Sequence, residues 1–238
     1  MISSTHNLRF SSRIEFLPYG RFHELPIRQL KADGLHAGPP WTTQETVSMA
    51  EEAYTDKAFD CNAGGIQNGQ HLSLFHLDPK KIYFSRPNGL RQRMNQDSIE
   101  DVVEAMEAEV KKLKKENPDL RALLTGGQAI GKSLWLKDAL LALFKRLDIP
   151  VSIFWGQDFG PTAVHYDTET DTWSIHSEFN SSGIAVEDED MLRENFNHIK
   201  IDPGDEVFIN GKKVSPDAIE HPPQKLKKLR EPLRISQR

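Results

Sequence analysis

The dipeptide Asn68-Gly69 is the feature that most constrains the fold of this chain. It stands between the segments CNAGGIQ and QHLSLFH. Asn-Gly is the strongest short-range hairpin signal, because both residues of its tight turn adopt positive φ. With this dipeptide at the centre of the turn, Gln67 faces Gln70 and the two segments pair as antiparallel strands. A third strand, KIYFS, follows.

Residues 98–155 alternate between helix and strand patterns. A helix is predicted from Ser98, which forms a capping pair with Asp101, to Asn117-Pro118, which ends it. Its apolar residues recur every three or four positions, as on one buried face: Ile99, Val102, Val103, Met106, Val110 and Leu113. After it come the strand LRALLT, a glycine-rich turn, the helix SLWLKDALLALFKRL and the strand PVSIFW.

The last part of the chain carries further hairpin patterns. TAVHYDT and TWSIHS alternate around a polar turn, and EVFINGKKV repeats the Asn-Gly signal at Asn210-Gly211. Together with the helices, these strands predict an α/β (α+β) fold. We expect a layered α/β sandwich with a mixed, largely antiparallel sheet and two main helices.

The length of 238 residues fits one domain with two flanking segments. Residues 1–41, rich in Pro, Gly and His, are expected to form an irregular lead-in. Residues 42–215 are expected to form a single α/β domain that opens with a short helix and holds any catalytic site. Residues 216–238 are predicted to be a basic tail, because from Gln224 onward six Lys and Arg residues stand against Glu231 alone.

Composition narrows the class of function. A net charge of −5 argues against nucleic acid as a partner, since phosphate binding needs a positive surface. A lone cysteine excludes an internal disulfide. No segment resembles a membrane span or a signal peptide. We therefore expect a soluble, cytoplasmic protein without integral membrane association. Delivery to another cell as an effector stays open, as does the oligomeric state.

The predicted hairpin places the one cysteine, Cys61, opposite His76. Directly opposed residues have Cβ atoms about 4.5–5.5 Å apart, within reach of a thiol–imidazole hydrogen bond. Imidazole can take the thiol proton, and the thiolate is the nucleophile, so this pair predicts a cysteine-dependent hydrolase. A bulge at Gly64-Gly65 would shift the register. If Cys61 is only a small core residue, a non-enzymatic binding module is the alternative.

These residues resemble the active-site pattern of the chemoreceptor glutamine deamidases (CheD-like) and the deamidating toxins of the cytotoxic necrotizing factor type. Thr55 stands six residues before Cys61, and His76 ends an alternating strand 15 residues after it. The stretch from 123 to 177 also resembles the chemoreceptor deamidases in its order of strand, glycine-rich turn, long helix, strand and hairpin. Phe59-Asp60 departs from the small residues usual before the nucleophile, and Gly127-Gln128 replaces a Gly-Ala pair.

The resemblance implies a layered α/β sandwich that hydrolyses a primary carboxamide, the glutamine side chain of a protein partner, to a carboxylate and ammonia. It implies no metal or cofactor. Cys61 would be the nucleophile, His76 the base and then the acid, and Thr55 a support for the histidine. Backbone N–H groups near Cys61 and Asn62 would stabilise the oxyanion. Transglutamination shares the same thioester and stays open.

A competing motif is the segment GGQAIGKS, which satisfies the G-x-x-x-x-G-K-[ST] pattern of a phosphate-binding loop between a strand and a helix. In this alternative the loop from Gly126 to Gly131 would bind ATP or GTP, with Lys132 on the phosphates and Ser133 on Mg²⁺. The next strand lacks an acidic residue directly after its apolar run, leaving only Asp158. Hairpins follow instead of further βαβ units.

His165 and His176 lie on the two strands of the second predicted hairpin. Together with Cys61 or His76 they could form a zinc site. Neither has the close ligand spacing of a His-x-His motif, so they are predicted to be ordinary strand residues.

Overall fold

The computed structural model describes ten stretches of the chain, and over residues 62–94 it describes the backbone alone. These stretches are 12–23, 62–68, 71–77, 81–86, 89–94, 98–129, 131–157, 162–167, 170–179 and 184–224. Their strands are β1 (Arg13–Phe16), β2 (Asn62–Asn68), β3 (His71–Leu77), β4 (Lys81–Arg86), β5 (Gly89–Met94), β6 (Arg121–Gln128), β7 (Val151–Gln157), β8 (Thr162–Asp167), β9 (Thr172–Ser177), β10 (Phe196–Lys200), β11 (Glu206–Ile209) and β12 (Lys212–Val214). Their helices are α1 (Tyr19–His23), α2 (Ile99–Glu116), α3 (Gly131–Arg146), α4 (Glu189–Asn195) and α5 (Pro216–Ile219).

The larger of two sheets, called the large sheet, has the strand order β10-β7-β6-β2-β3-β4-β5. Its neighbouring strands are antiparallel except β6 and β7, which are parallel. Adjacent parallel strands need a long crossover connection, and α3 supplies it. The mixed, largely antiparallel sheet predicted from the sequence is confirmed.

The small sheet has the order β12-β11-β1-β9-β8. Its centre is β1, which runs parallel to both β9 and β11. The prediction of an irregular lead-in is therefore wrong for residues 13–16. Ile14 and Phe16 are each 1% exposed, so the strand alternates between buried and half-buried residues. Four residues are too few for such alternation to stand out in a sequence.

The two sheets pack face to face, and helices cover the other face of the large sheet. Phe154 lies between the sheets, with its ring centroid 5.0 Å from that of Phe16 and 5.8 Å from that of Phe196. On the opposite face, Leu124 and Trp155 pack with apolar residues of α2 and α3. The predicted layered α+β sandwich is thus confirmed, and a second sheet, which the sequence analysis did not predict, forms its third layer.

The helix predicted from Ser98 is confirmed as α2. The Ser98 hydroxyl accepts a hydrogen bond from the Asp101 backbone N–H at 3.2 Å, and the helix ends before Asn117. Four of the six predicted apolar positions are fully buried: Val102, Met106, Val110 and Leu113. Within the described stretches, no helix combines the length and apolarity needed to cross a membrane.

The hairpin of β2 and β3 forms in a register different from the predicted one. Asn68 belongs to β2 and faces His71, and Ala63 faces His76. The predicted opposition of Cys61 and His76 is therefore wrong by two residues. The register of β2 is also set by its other neighbour, β6, which a turn motif does not report. A shift of two residues keeps the same faces of the strands together.

The second Asn-Gly prediction is confirmed. Asn210 and Gly211 have φ values of 52° and 85°, and Ile209 faces Lys212 across the β11–β12 turn. These are the positive φ angles of a tight two-residue hairpin turn.

The packed core extends beyond residue 215, where the sequence placed the start of a tail. Ile219 of α5 is 0% exposed. His221 exchanges backbone hydrogen bonds with Ile199, and the Gln224 N–H donates to the Asn197 carbonyl at 3.1 Å, so this segment runs along the edge of β10. The predicted boundary is wrong by at least six residues. The basic residues from Lys225 onward and the helix predicted from residue 42 lie outside the described residues.

Candidate functional site

The ends of several strands meet at one edge of the large sheet, which we call the carboxyl edge. The parallel strands β6 and β7 end there at Gln128 and Gln157. Because β2 is antiparallel to β6, its first residue, Asn62, lies opposite Gly126. Asn62 also faces Leu77, the last residue of β3. Ligands of open α/β sheets bind beyond the carboxyl ends of parallel strands, so this edge is the natural place for a site.

Two of the three predicted catalytic residues lie outside the described residues. Cys61 directly precedes Asn62 in the chain, and Thr55 stands six residues further back. His76 is described by its backbone and faces Ala63. The backbone thus brings His76 and the residue that follows Cys61 to the same edge, while the assignment of these three residues to catalysis stays a prediction.

Glycines at the carboxyl edge adopt backbone conformations that other residues rarely take. Gly126 and Gly127 at the end of β6 have φ values of 88° and 67°, and Gly156 near the end of β7 has a φ of 87°. Glycine takes such angles without steric cost because it lacks a Cβ. Uncommon backbone angles of this kind cluster where a chain approaches a ligand or turns sharply, and their concentration here distinguishes the carboxyl edge.

The backbone at the predicted phosphate-binding loop does not match such a loop. β6 runs through Gln128, which faces Gln157, and α3 begins at Gly131, so only residues 129 and 130 separate strand from helix. Gly126 pairs with strands on both sides. A phosphate loop needs a wide turn whose backbone N–H groups point at the ligand. The structure describes Lys132 by its backbone alone. Ser133 is buried, with 3% of its surface exposed.

His176 lies in β9, the strand predicted for it, and is buried in the core, which the sequence analysis did not predict. It is 1% exposed, one ring nitrogen, Nδ1, lies 3.1 Å from the Leu17 carbonyl oxygen, and its ring centroid is 6.1 Å from that of Phe22. His165 faces Ser174 on the neighbouring strand, and its side chain is outside the description. Within the described part of the chain, no group of three His, Cys, Asp or Glu residues is placed to hold a metal ion.

A buried polar pair that the sequence analysis missed links β9 of the small sheet to the last residue of α4 near the carboxyl edge. The Asn195 side-chain amide donates to the Ser177 hydroxyl at 2.9 Å, and both residues are 1% exposed. Asn195 directly precedes Phe196, which faces Gln157 at the end of β7. No sequence signal marks this pair, because its residues lie 18 positions apart on elements that meet only in the folded chain.

A buried ion network at the opposite edge of the large sheet was also missed. The Arg121 guanidinium lies 2.8 Å from Asp202 and 2.6 Å from Asp205. The Ser152 hydroxyl donates to Asp205, and the Ser12 backbone N–H donates to it at 3.2 Å. Burial raises the pKa of Asp205, and the neighbouring Arg121 acts against this rise. The network joins β6, β7 and the start of β1, so it stabilises the edge where those strands begin.

Comparison of the chain with protein-family models, with curated proteins and with solved structures finds no significant match in any of the three. The resemblance to glutamine deamidases therefore rests on the residue pattern alone.

Proposed function

We propose that the protein is a cysteine-dependent amide hydrolase that converts a glutamine side chain of a protein substrate to glutamate. The observation that carries the proposal is the pairing of Asn62, the residue after Cys61. Asn62 faces the end of β3, which bears His76, and on its other side it faces Gly126. The residue that follows the nucleophile candidate, the strand that bears the base candidate and a glycine of β6 therefore meet at one edge of one sheet.

The observed register of β2 and β3 changes the geometry that we propose for the pair of Cys61 and His76. Residues two apart in a strand point to the same face, and His76 faces Ala63. If the extended backbone of β2 continues one residue before Asn62, Cys61 becomes the diagonal neighbour of His76. Diagonal neighbours lie about 7–8 Å apart, within reach of long and aromatic side chains. A thiol–imidazole contact then requires the imidazole to lean along β3 toward its end.

The proposed reaction needs only these groups and water. His76 takes the thiol proton, and the Cys61 sulfur attacks the carboxamide carbon. The C–N bond breaks, ammonia leaves with the proton from His76, and a thioester remains. Water then gives a proton to His76 and attacks the thioester, which releases glutamate, and His76 returns the proton to the Cys61 thiolate. Thr55 is proposed to position His76.

The test is to incubate the full-length protein with glutamine-containing proteins and to measure released ammonia together with intact mass. Each conversion adds about one dalton to the acceptor protein, because an amide is replaced by a carboxyl group. Cys61→Ser and His76→Gln should each lower the rate by about 10³-fold or more. His71→Gln is the matched control, since His71 lies on β3 and faces Asn68. Full activity of Cys61→Ser ends the proposal.

The reactivity of the Cys61 thiol tests the proposed pair of Cys61 and His76 independently of the hydrolase assay. Alkylation of Cys61 by iodoacetamide should be half-maximal at a pH well below the free-cysteine value of about 8.5, and His76→Gln should return it toward that value. A thiol that does not react in the folded protein, yet reacts after denaturation, supports the non-enzymatic binding module instead. Adding methylamine distinguishes hydrolysis from transglutamination. In transglutamination the methylamine becomes attached to the glutamine side chain, and the intact mass of the acceptor protein then includes it.

A further inference from the structure

A lysine side chain is buried between α3 and the large sheet. Lys137 has a side chain that is only 3% exposed, and its ammonium nitrogen lies 3.3 Å from the carboxylate of Asp138. Asp138 projects to the surface, with 70% of its side chain exposed. Lysine is almost never fully buried unless it is paired, and an exposed, hydrated carboxylate is a weak partner. The site therefore holds a positive charge that its neighbours compensate poorly.

Three ring nitrogens on β7, on β10 and on the segment bridged to β10 are buried without a hydrogen-bond partner among the described residues: Trp155 Nε1, His198 Nδ1 and His221 Nε2. Trp155 on β7 is 0% exposed and packs in the core beneath α2 and α3. His198 on β10 faces Trp155 directly, and His221 is bridged to the next residue of β10. The charge of Lys137 acts on His198, in agreement with the packing of α3 against β7 beside the Trp155–His198 pair. His221 instead shares the face of its bridge partner Ile199, between the sheets, and its Nδ1 lies 3.1 Å from the Pro222 carbonyl oxygen.

The chemistry of these groups selects the kind of ligand. An ammonium and an indole N–H are donors only, and each imidazole offers at least one donor. Buried polar groups without partners are rare, and an ordered water or ion commonly explains them. The buried ammonium repels a cation. A ligand that accepts several hydrogen bonds and carries negative charge satisfies the Lys137 ammonium, the Trp155 indole and the His198 Nδ1 at once.

We propose that Lys137, Trp155 and His198 form a binding site for a small oxyanion on the helix-covered face of the large sheet, beside β10. The oxyanion replaces the exposed Asp138 carboxylate as the partner of the Lys137 ammonium and accepts a hydrogen bond from the Trp155 indole. Burial, Lys137 and His221 lower the pKa of His198 to about 4, so at pH 7 its imidazole is neutral and the lysine supplies the charge.

The probe is inorganic phosphate, with acetate as a second arm to distinguish a tetrahedral anion from a carboxylate. Indole N–H resonances of the full chain are recorded by ¹H–¹⁵N correlation at pH 7 while phosphate replaces chloride at constant ionic strength. The Trp155 resonance, one of four indoles, is assigned with Trp155→Phe. It should shift saturably with phosphate or acetate. If it shifts with neither, a buried water is the partner and the proposal is overturned.

Variants of Lys137, Lys145 and His198 test whether the anion binds at the proposed site. Lys137→Met should weaken binding by about tenfold or more, the loss expected for one charge-assisted hydrogen bond. Lys145→Met, which removes an exposed lysine from the same helix, should leave binding unchanged. His198→Gln is the second variant if Lys137→Met does not fold. Equal binding by wild type and by a folded Lys137→Met or His198→Gln variant overturns the proposal, as does equal weakening by Lys145→Met.

Discussion

Gly156 lies against Asn197 so closely that a Cβ placed on the glycine would stand 2.7 Å from the Asn197 Cβ and 3.3 Å from the Ala129 Cβ. This contact joins β7, the edge strand β10 and the connection from β6 to α3 at one point of the carboxyl edge. The backbone of Gly156 has a φ of 87°. The close approach and the backbone angle therefore both require glycine.

Gly156→Ala should destabilise the protein by about 2–4 kcal/mol, because it combines positive-φ strain with a steric clash against side chains on neighbouring strands. Urea unfolding followed by circular dichroism measures the change. Gly20→Ala is the control. Gly20 is exposed in α1, and a Cβ there would meet nothing within 4 Å. Equal stabilities of the two variants would contradict the requirement for glycine at 156.

The Arg121 network should be far more important for stability than a surface ion pair. Arg121→Met leaves the buried Asp205 and the neighbouring Asp202 without their cation, and removing one partner of a buried pair costs about 3–5 kcal/mol. Arg146→Met removes the comparable contact to Glu107, 2.7 Å long but with 56% of the arginine side chain exposed. That loss should be much smaller than the loss from Arg121→Met, because solvent screens an exposed ion pair. A similar change in unfolding free energy for both variants would show that burial does not decide the outcome.

Sequence reasoning succeeded where the signal is local. The capping pair of Ser98 and Asp101 and the periodic apolar face gave α2 correctly, and Asn210-Gly211 gave the β11–β12 turn, because each depends on residues within a few positions. It failed where the pairing register depends on strands that are distant in the sequence. The register of β2 depends on β6 as well as on its own turn, so Asn68-Gly69 alone placed Cys61 opposite His76 incorrectly.

The same limit applies to the core and to the buried polar groups. β1 is central in the small sheet only because β9 and β11 come to it from residues far along the chain. Lys137 and His198 come close because α3 packs on β7, whose Trp155 faces His198 on β10, and no sequence motif in α3 or β10 indicates this contact. The carboxyl edge was foreseeable in part, since a glycine-rich turn after a buried strand is visible in the sequence.

Ile219 gives a test of the corrected C-terminal boundary. Because Ile219 is 0% exposed and packs in the core between the sheets, Ile219→Ala should cost about 2–5 kcal/mol of unfolding free energy. Ile184→Ala is the control, since Ile184 is 53% exposed and its loss should be within about 0.5 kcal/mol. If both substitutions are neutral, residues 216–221 do not belong to the folded unit.

His198 should make the protein less stable in acid. Burial first, then the charges of Lys137 and His221, lower its pKa from 6.5 to about 4. Between about pH 6.5 and pH 4, this imidazole is therefore protonated in the unfolded chain and neutral in the folded chain. The stability contributed by the neutral imidazole is complete above pH 6.5 and is lost as the pH falls through that window.

Comparing wild type with His198→Gln isolates this effect from the other titrating groups. Between pH 7.5 and pH 4.5, wild type should lose on the order of 1–2 kcal/mol more unfolding free energy than the variant, a value reduced for solvent screening because His198 is only half-buried. Urea unfolding at both pH values gives the difference, in buffers free of phosphate and of carboxylates so that neither occupies the proposed anion site. If the two proteins lose the same stability, His198 titrates near its ordinary value and the buried lysine does not act on it.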